Sequence, residues 1–292
     1  MDNDLLLEDD GLPIRSFGNW TRDKLHYLES YISMFETSMR QKKWCARCYI
    51  DLFSGKGKYR IEHQKEVYLG SPLIALTTKH PFTHYFFVDT EQENVEILSK
   101  RCNAFSNVPK RFYVGDANQI VDKIVAEIKS IEQNRPENTW TSLNLAFLDP
   151  DGLELEWKTV EKLAKIRKMD LIIHYSQSGL TRNFENYVNA NDETILDRFF
   201  GGPEWRRIYQ KYHLKEPSSV HKHLIDYYKS KLVDLGYAEV KDVEDYETTE
   251  PVMRNTKQAP LYRLLFASKH ERGHDFWKEV IKRDASGQAE LW

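Results

Sequence analysis

Two rhythms of apolar residues alternate along this chain. In one, nearly every position of a short run is apolar, and the run ends on an acid or a glycine turn. Cys48 to Phe53 runs into Ser54-Gly55-Lys56-Gly57, and His84 to Val88 closes on Asp89. Arg111 to Val114 closes on Gly115-Asp116, Leu143 to Leu148 on Asp149-Pro150-Asp151-Gly152, and Asp170 to His174 on Tyr175-Ser176. Runs of this kind mark strands covered on both faces, the condition of a parallel sheet inside a protein. In the other rhythm apolar residues recur every three or four positions, as at Leu25, Leu28, Ile32, Phe35 and Met39, which predicts helices. Thr21 is the expected cap of the first helix, and Ser71, followed by Pro72, of the second. Further helices are expected near residues 91–101, 119–131 and 158–167.

This alternation predicts an α/β fold with a doubly wound, mostly parallel sheet and functional groups gathered at the carboxyl ends of its strands. After Gly179 the rhythm breaks. Residues 182–223 carry helical stretches and the pair Gly201-Gly202, and read as a helical insertion between strands five and six. A helix over 220–235 returns to the core. Strands over 237–246 and 262–268, separated by the polar segment 248–260, would bring the sheet to seven, and a helix over 275–283 follows. Residues 1–19, with Asp2, Asp4, Glu8, Asp9 and Asp10, are expected to be an acidic flexible tail, and residues 20–292 one domain.

Composition narrows the class. A chain of 292 residues, 40% hydrophobic, buries a sizeable core. It has no run of about 18 apolar residues to span a membrane and no apolar signal region at the N-terminus, so a cytoplasmic location is expected. Three cysteines are too few for a disulfide framework. Cys45 and Cys48 form a CxxC, but it precedes a strand and no second pair completes four ligands, so no metal is expected. The net charge of −3 excludes a uniformly basic coat, yet cations cluster at Arg40, Lys42, Lys43, Arg47, Lys56, Lys58 and Arg60. A second cluster, including Arg206, Arg207 and Lys211, interleaves with Trp205, Tyr209 and Tyr212. Cations beside aromatic faces suit phosphate contact and base stacking. The same pattern also fits a helix whose aromatics are its buried stripe.

The strand tips carry the candidate chemistry. Phe53, Ser54, Gly55 and Gly57 form a turn in which glycine lets backbone approach a nucleotide-like ligand, with Asp51 just before it. Ser71 opens a helix whose exposed N–H groups suit an anionic group. Asp89 ends the second strand, where an acid accepts hydrogen bonds from ribose hydroxyls, and Asp116 ends the third. Asp51 and Asp116 equally suit capping the turns that follow them. A nicotinamide dinucleotide fits poorly, because Arg60 stands where the third glycine of its fingerprint belongs.

Acids at successive tips followed by two closing strands resemble the fold of S-adenosylmethionine-dependent methyltransferases. The strings YIDLFSGKGKYR, GSPLIAL, FFVDTE, FLDPDGLELEW and LYRLLFASKH, in this order, resemble the three-Cys-motif partner family (TcmP) over roughly residues 20–283. This resemblance implies a methyltransferase-like fold, S-adenosylmethionine held by the tips named above, and a separate radical-enzyme-like three-Cys-motif protein as partner. More distantly, Gly70-Ser71-Pro72 and Asp149-Pro150 are similar to the ribosomal RNA adenine N6-methyltransferases, whose fourth strand ends Asp-Pro-Pro-Tyr. That similarity implies a catalytic role for Asp149 and Pro150, orienting an acceptor amine. Asp151 and Gly152 depart from the pattern, so the stacking face must come from Trp157, Tyr175 or an aromatic of the insertion. Lys24, Tyr175, Arg206, Arg207 and Lys211 are the expected substrate contacts. The expected function is N-methylation of a DNA or RNA base; the alternative is a non-catalytic binding module acting through its partner.

Overall fold

The computed structural model describes residues 7–105, 107–238 and 250–282. The chain enters through a short strand, β1 (Arg15–Phe17), and a long helix, α1 (Trp20–Met39). Strand β2 (Arg47–Asp51) leads by the glycine turn to β3 (Lys58–Ile61), β4 (Val67–Leu69) and helix α2 (Ser71–Thr77). Then β5 (His84–Asp89), α3 (Gln92–Cys102), β6 (Lys110–Val114), α4 (Ala117–Gln133), β7 (Leu143–Leu148), α5 (Trp157–Ala164) and β8 (Met169–Tyr175) alternate as expected. Three helices follow, α6 (Gln177–Tyr187), α7 (Ile195–Phe200) and α8 (Glu204–Tyr212), before α9 (Val220–Asp234). The described chain closes with β9 (Val252–Arg254), β10 (Pro260–Ala267) and α10 (Glu271–Ile281).

Seven strands form one sheet in the order β6-β5-β2-β7-β8-β10-β9. The first five are mutually parallel, and β10 runs antiparallel to both β8 and β9. The side-chain period of two divides every central strand between two cores. Cys48, Ile50, Phe86, Val88, Ala146 and Leu148 face the side covered by α4, α5 and α9. Tyr49, Tyr85, Phe87, Leu145 and Phe147 face the side covered by α1, α2, α3 and α10. After β2 the chain winds outward through β5 and β6 and then returns to β7 on the other flank of β2. That reversal opens a crevice at the carboxyl ends of β2 and β7.

Four local expectations are corrected. Residues 7–19 do not behave as a tail: β1 pairs parallel with β3, which pairs antiparallel with β4, in a second sheet of order β1-β3-β4. Strands of three or four residues, two of them carrying charges, are too short for a periodic signal. Asp9 and Asp10 also hold this segment down, Asp9 pairing with Arg60 and Asp10 with Lys58 and Arg101. Helix α1 starts at Trp20, so Thr21 lies buried within it, and Gly70 rather than Ser71 is the cap residue of α2. The strand expected over 237–246 falls mostly on residues 239–249, outside the described residues, and the edge strand seen is β9, inside the stretch taken as a polar connection. Among the described residues, no helix is long and apolar enough to cross a membrane.

Candidate functional site

A cavity of about 640 Å³ opens at the carboxyl ends of β2, β5 and β7. Of the sequence-derived candidates, Phe53, Ser54, Gly55, Gly57, Ser71, Asp89, Asp116, Lys24 and Asp149 line it. Five separate segments thus converge on one space, because a parallel sheet delivers every strand tip to the same side.

The turn after β2 is fastened to the tip of β5. Asp89 Oδ2 accepts from the Gly55 N–H at 3.0 Å, while Oδ1 accepts from the Glu91 N–H and the Asn94 amide, each at 2.9 Å. Ser54 donates its backbone N–H and hydroxyl to the Val88 carbonyl, at 2.8 and 3.0 Å. Gly55 has φ +58°, and a Cβ there would meet nothing within 4 Å, so the backbone is open to a ligand. Gly57 differs. At φ +83° its absent Cβ makes room for Leu98, and its carbonyl accepts from the Gly70 N–H at 2.7 Å, so this glycine joins the turn to α2 and α3. Asp116 both lines the cavity and caps α4, its Oδ1 accepting from the Asn118 N–H at 2.9 Å.

Asp51 lies beneath the turn and is absent from the cavity wall. It is fully buried, with Oδ1 accepting from the Phe53 N–H at 3.2 Å and Oδ2 from the Tyr49 hydroxyl at 3.3 Å. Burial pushes its carboxyl up to about 7, opposed by the Ser71 hydroxyl and the Phe53 N–H. Its place supports the turn from behind rather than touching what the turn holds.

The tip of β7 carries a polar cluster. Lys24 of α1 donates to Asp149 Oδ2, with the two side chains only 13% and 14% exposed. The ammonium group also lies 5.3 Å from the Tyr262 ring centre. Asp149 Oδ1 is buried without a hydrogen-bond partner. His174 stacks edge-on against Tyr262 at 4.4 Å, and burial holds its imidazole down at about 4, hence neutral near pH 7. Behind this tip, Asn118 secures the following loop: its amide donates to the Glu154 carbonyl at 2.8 Å and accepts from the Glu156 N–H at 3.0 Å. Pro150 is buried but does not line the cavity.

The remaining substrate candidates lie elsewhere. Tyr175 is fully buried, its hydroxyl sharing a 3.0 Å hydrogen bond with His221 Nδ1. Arg206 is bound to Asp197 at 2.5 Å and to the Ala190 carbonyl, which occupies its guanidinium in holding α8 to α7. Arg207 and Lys211 are exposed on α8, away from the cavity. Trp205 and Tyr228 are fully buried, and Tyr209, Tyr212 and Tyr227 pack against the core, so the aromatic pattern of this region is a buried stripe. Trp157 is buried against Tyr228, leaving it no face for a ligand. The insertion reaches the cavity through Ile195 and Arg198 of α7 instead.

Four further lining residues, Arg15, Phe17, Tyr59 and Asn118, carried no sequence signal. The first two sit on β1, in the segment read as a tail. All three cysteines are free thiols, burial pushes the Cys45 and Cys48 thiols up, and no acid, histidine and cysteine group suited to a metal occurs among the described residues.

No protein-family model and no curated protein matches this chain. Among solved structures, a Legionella pneumophila protein aligns over 92% of this chain and 94% of its own, at 9% identity and TM-score 0.47. An O-methyltransferase from Bacillus cereus in complex with SAH aligns over 89% and 85%, at 11% identity and TM-score 0.44. Magnesium protoporphyrin IX methyltransferase from Synechocystis, with bound SAH, aligns over 86% of each chain, at 10% identity and TM-score 0.38. Every TM-score is below 0.5, so what the site does is read from its own geometry.

Proposed function

We propose that this protein is an S-adenosylmethionine-dependent methyltransferase that acts on a nitrogen atom of its acceptor. The observation that carries the reading is Asp149 Oδ1, a buried carboxylate oxygen without a partner at the cleft where the sheet reverses its order. A buried acceptor left unpaired costs free energy, and a substrate N–H supplied there removes that cost.

The cavity is of the size that holds a nucleoside-like cofactor. Gly55 offers open backbone at one end, with Ser54 and Ser71 beside it, and Asp89 and Asp116 bring carboxylates to the tips of the next two strands. These residues suit, in that order, the amino-acid part, the ribose and the adenine of S-adenosylmethionine. The cofactor, when bound, supplies an electrophilic methyl group. Asp149 accepts the acceptor's N–H and so turns its lone pair, while Lys24 keeps the carboxylate charged and its orientation defined.

A nucleic-acid base is the acceptor class we favour, because the cavity suits a neutral ring better than a phosphate. Each of Arg15, Lys24, Lys56, Lys58 and Arg198 is matched by a carboxylate: Asp151, Asp149, Glu93, Asp10 and Glu156. Phosphates of a polymer would then be met outside, where Arg207 and Lys211 are exposed. The three-Cys-motif partner is proposed on the five resembling strings alone.

Calorimetric titration with S-adenosylmethionine, followed by transfer of labelled methyl to nucleic-acid and protein pools with and without the partner, tests the reading. Asp149→Ala should keep cofactor affinity within a few-fold while lowering transfer by about two orders of magnitude or more. No heat with folded protein would refute the cofactor. Heat without transfer in any pool would leave a non-catalytic binding module, the alternative that the Lys24 bond to Asp149 favours.

A further inference from the structure

The departure of Asp151-Gly152 from an aromatic tip leaves the proposed acceptor without a stacking face, and neither Trp157 nor Tyr175 provides one. We infer that Phe17 of β1 is that face, and that the acceptor is a planar heteroaromatic amine lying on Phe17 with its N–H directed to Asp149. This inference rests on the methyltransferase reading and names its substrate class.

Arg15 and Phe17 are two apart on β1, so both side chains leave the strand on one side, and both line the cavity. The Arg15 guanidinium carbon lies 4.8 Å from the Phe17 ring centre, and its Nη1 reaches across to Asp151 at 2.5 Å. Asp151 is two residues beyond Asp149. One wall of the cavity is therefore an aromatic ring capped by a planar cation, and it is tied to the loop that carries the unpartnered oxygen.

The ring is set on a rigid support. Phe17 meets Tyr59 edge-on at 6.2 Å, and Tyr59 stacks on Tyr68 at 5.4 Å. Backbone pairing places Phe17 opposite Ile61. The segment before β1 is anchored by Arg101, which is 2% exposed, binds both carboxylate oxygens of Asp10 at 2.9 Å, and donates to the Lys56 carbonyl of the glycine turn at 2.6 Å. The strand carrying the ring is thus held by the same turn that borders the proposed cofactor site.

The bland reading is that Phe17 only helps to fill the core between the two sheets, which it does in part. Two features exceed that role. Phe17 keeps part of its surface in the cavity, and the Arg15 to Asp151 bridge in front of it is exposed at 57% and 61%, so it is weakly held and yields readily to an entering ring. A stacked base gains from both the aromatic face and the guanidinium plane, and its exocyclic amine satisfies an oxygen that now has no donor.

The test uses the full chain saturated with S-adenosylhomocysteine, which blocks the cofactor's own adenine site. Ligand-observed NMR titrations use 9-ethyladenine, its N6,N6-dimethyl analogue, which lacks the N–H donor, and cyclohexylamine, which lacks the plane. Binding of 9-ethyladenine alone is expected. Phe17→Leu should weaken it by about tenfold or more, Phe17→Tyr should largely retain it, and both should keep S-adenosylhomocysteine affinity within about twofold. Equal binding by Phe17→Leu, or equal binding of cyclohexylamine, overturns the inference. So does failure of 9-ethyladenine and of 1-methylcytosine to bind protein that does hold S-adenosylhomocysteine. If S-adenosylhomocysteine itself fails to bind folded protein, the methyltransferase reading falls first and this inference with it.

Discussion

At the end of β2 a carboxyl group has no water around it. Asp51 is fully buried, and that burial pushes it up to about 7 from the 3.8 expected of an exposed aspartate. Between about pH 4 and pH 7 the folded chain therefore holds a proton there that the unfolded chain has lost. Its contribution to stability is fully present below about pH 4 and disappears as the pH rises through about 7. Asp51→Asn cannot titrate. Its stability relative to the natural chain, from urea unfolding at each pH, is expected to rise by up to about 4 kcal/mol between pH 4 and pH 8. A constant difference across that range refutes the assignment. The sequence marked Asp51 as a cofactor contact because it precedes the glycine turn. It did not reveal which way the side chain points, since that depends on the turn bending back to offer the Phe53 N–H.

Among the connecting elements, the glycine turn divides its labour. Gly55 and Gly57 look alike in sequence, both have positive φ, and both border the cavity. A methyl group at Gly55 meets open space, so Gly55→Ala should cost only the backbone strain, about 1 kcal/mol, and show itself in weaker cofactor binding. At Gly57 the same methyl group comes within 2.7 Å of Leu98 Cδ1, so Gly57→Ala should cost more stability, about 2 to 3 kcal/mol in urea unfolding. Equal losses would mean that the packing against α3 is not what Gly57 serves. The difference was illegible beforehand because Leu98 is brought to the turn only when α3 folds back on the sheet. Strands β1 and β3 were missed for a similar reason. Each is short, and it is their pairing across more than forty residues that makes them strands.

For the molecule as a whole, the buried Arg101 is a junction between the entering segment and the sheet. It binds Asp10, the carbonyls of Leu12 and Pro13, and that of Lys56, so Arg101→Ala strands several acceptors at once. The expected loss is about 3 to 5 kcal/mol, with amide hydrogens over residues 8–17 exchanging faster than those of β2 and β7. Uniform exchange across the chain would show that the segment is not a separately anchored part. The sequence by itself determined the alternation of strands and helices, the acids and glycines at the strand tips, and through them the side of the sheet on which chemistry gathers. Those features are local, since apolar period and turn composition act within a few residues. The tertiary structure decided what lies opposite each tip. It took Arg206 out of any substrate role by pairing it with Asp197, turned the aromatics of α8 and α9 into core, and brought Phe17 and Lys24 from the chain's beginning to face Asp149. Contacts between residues more than a hundred positions apart depend on how whole elements pack, and no local pattern carries that information.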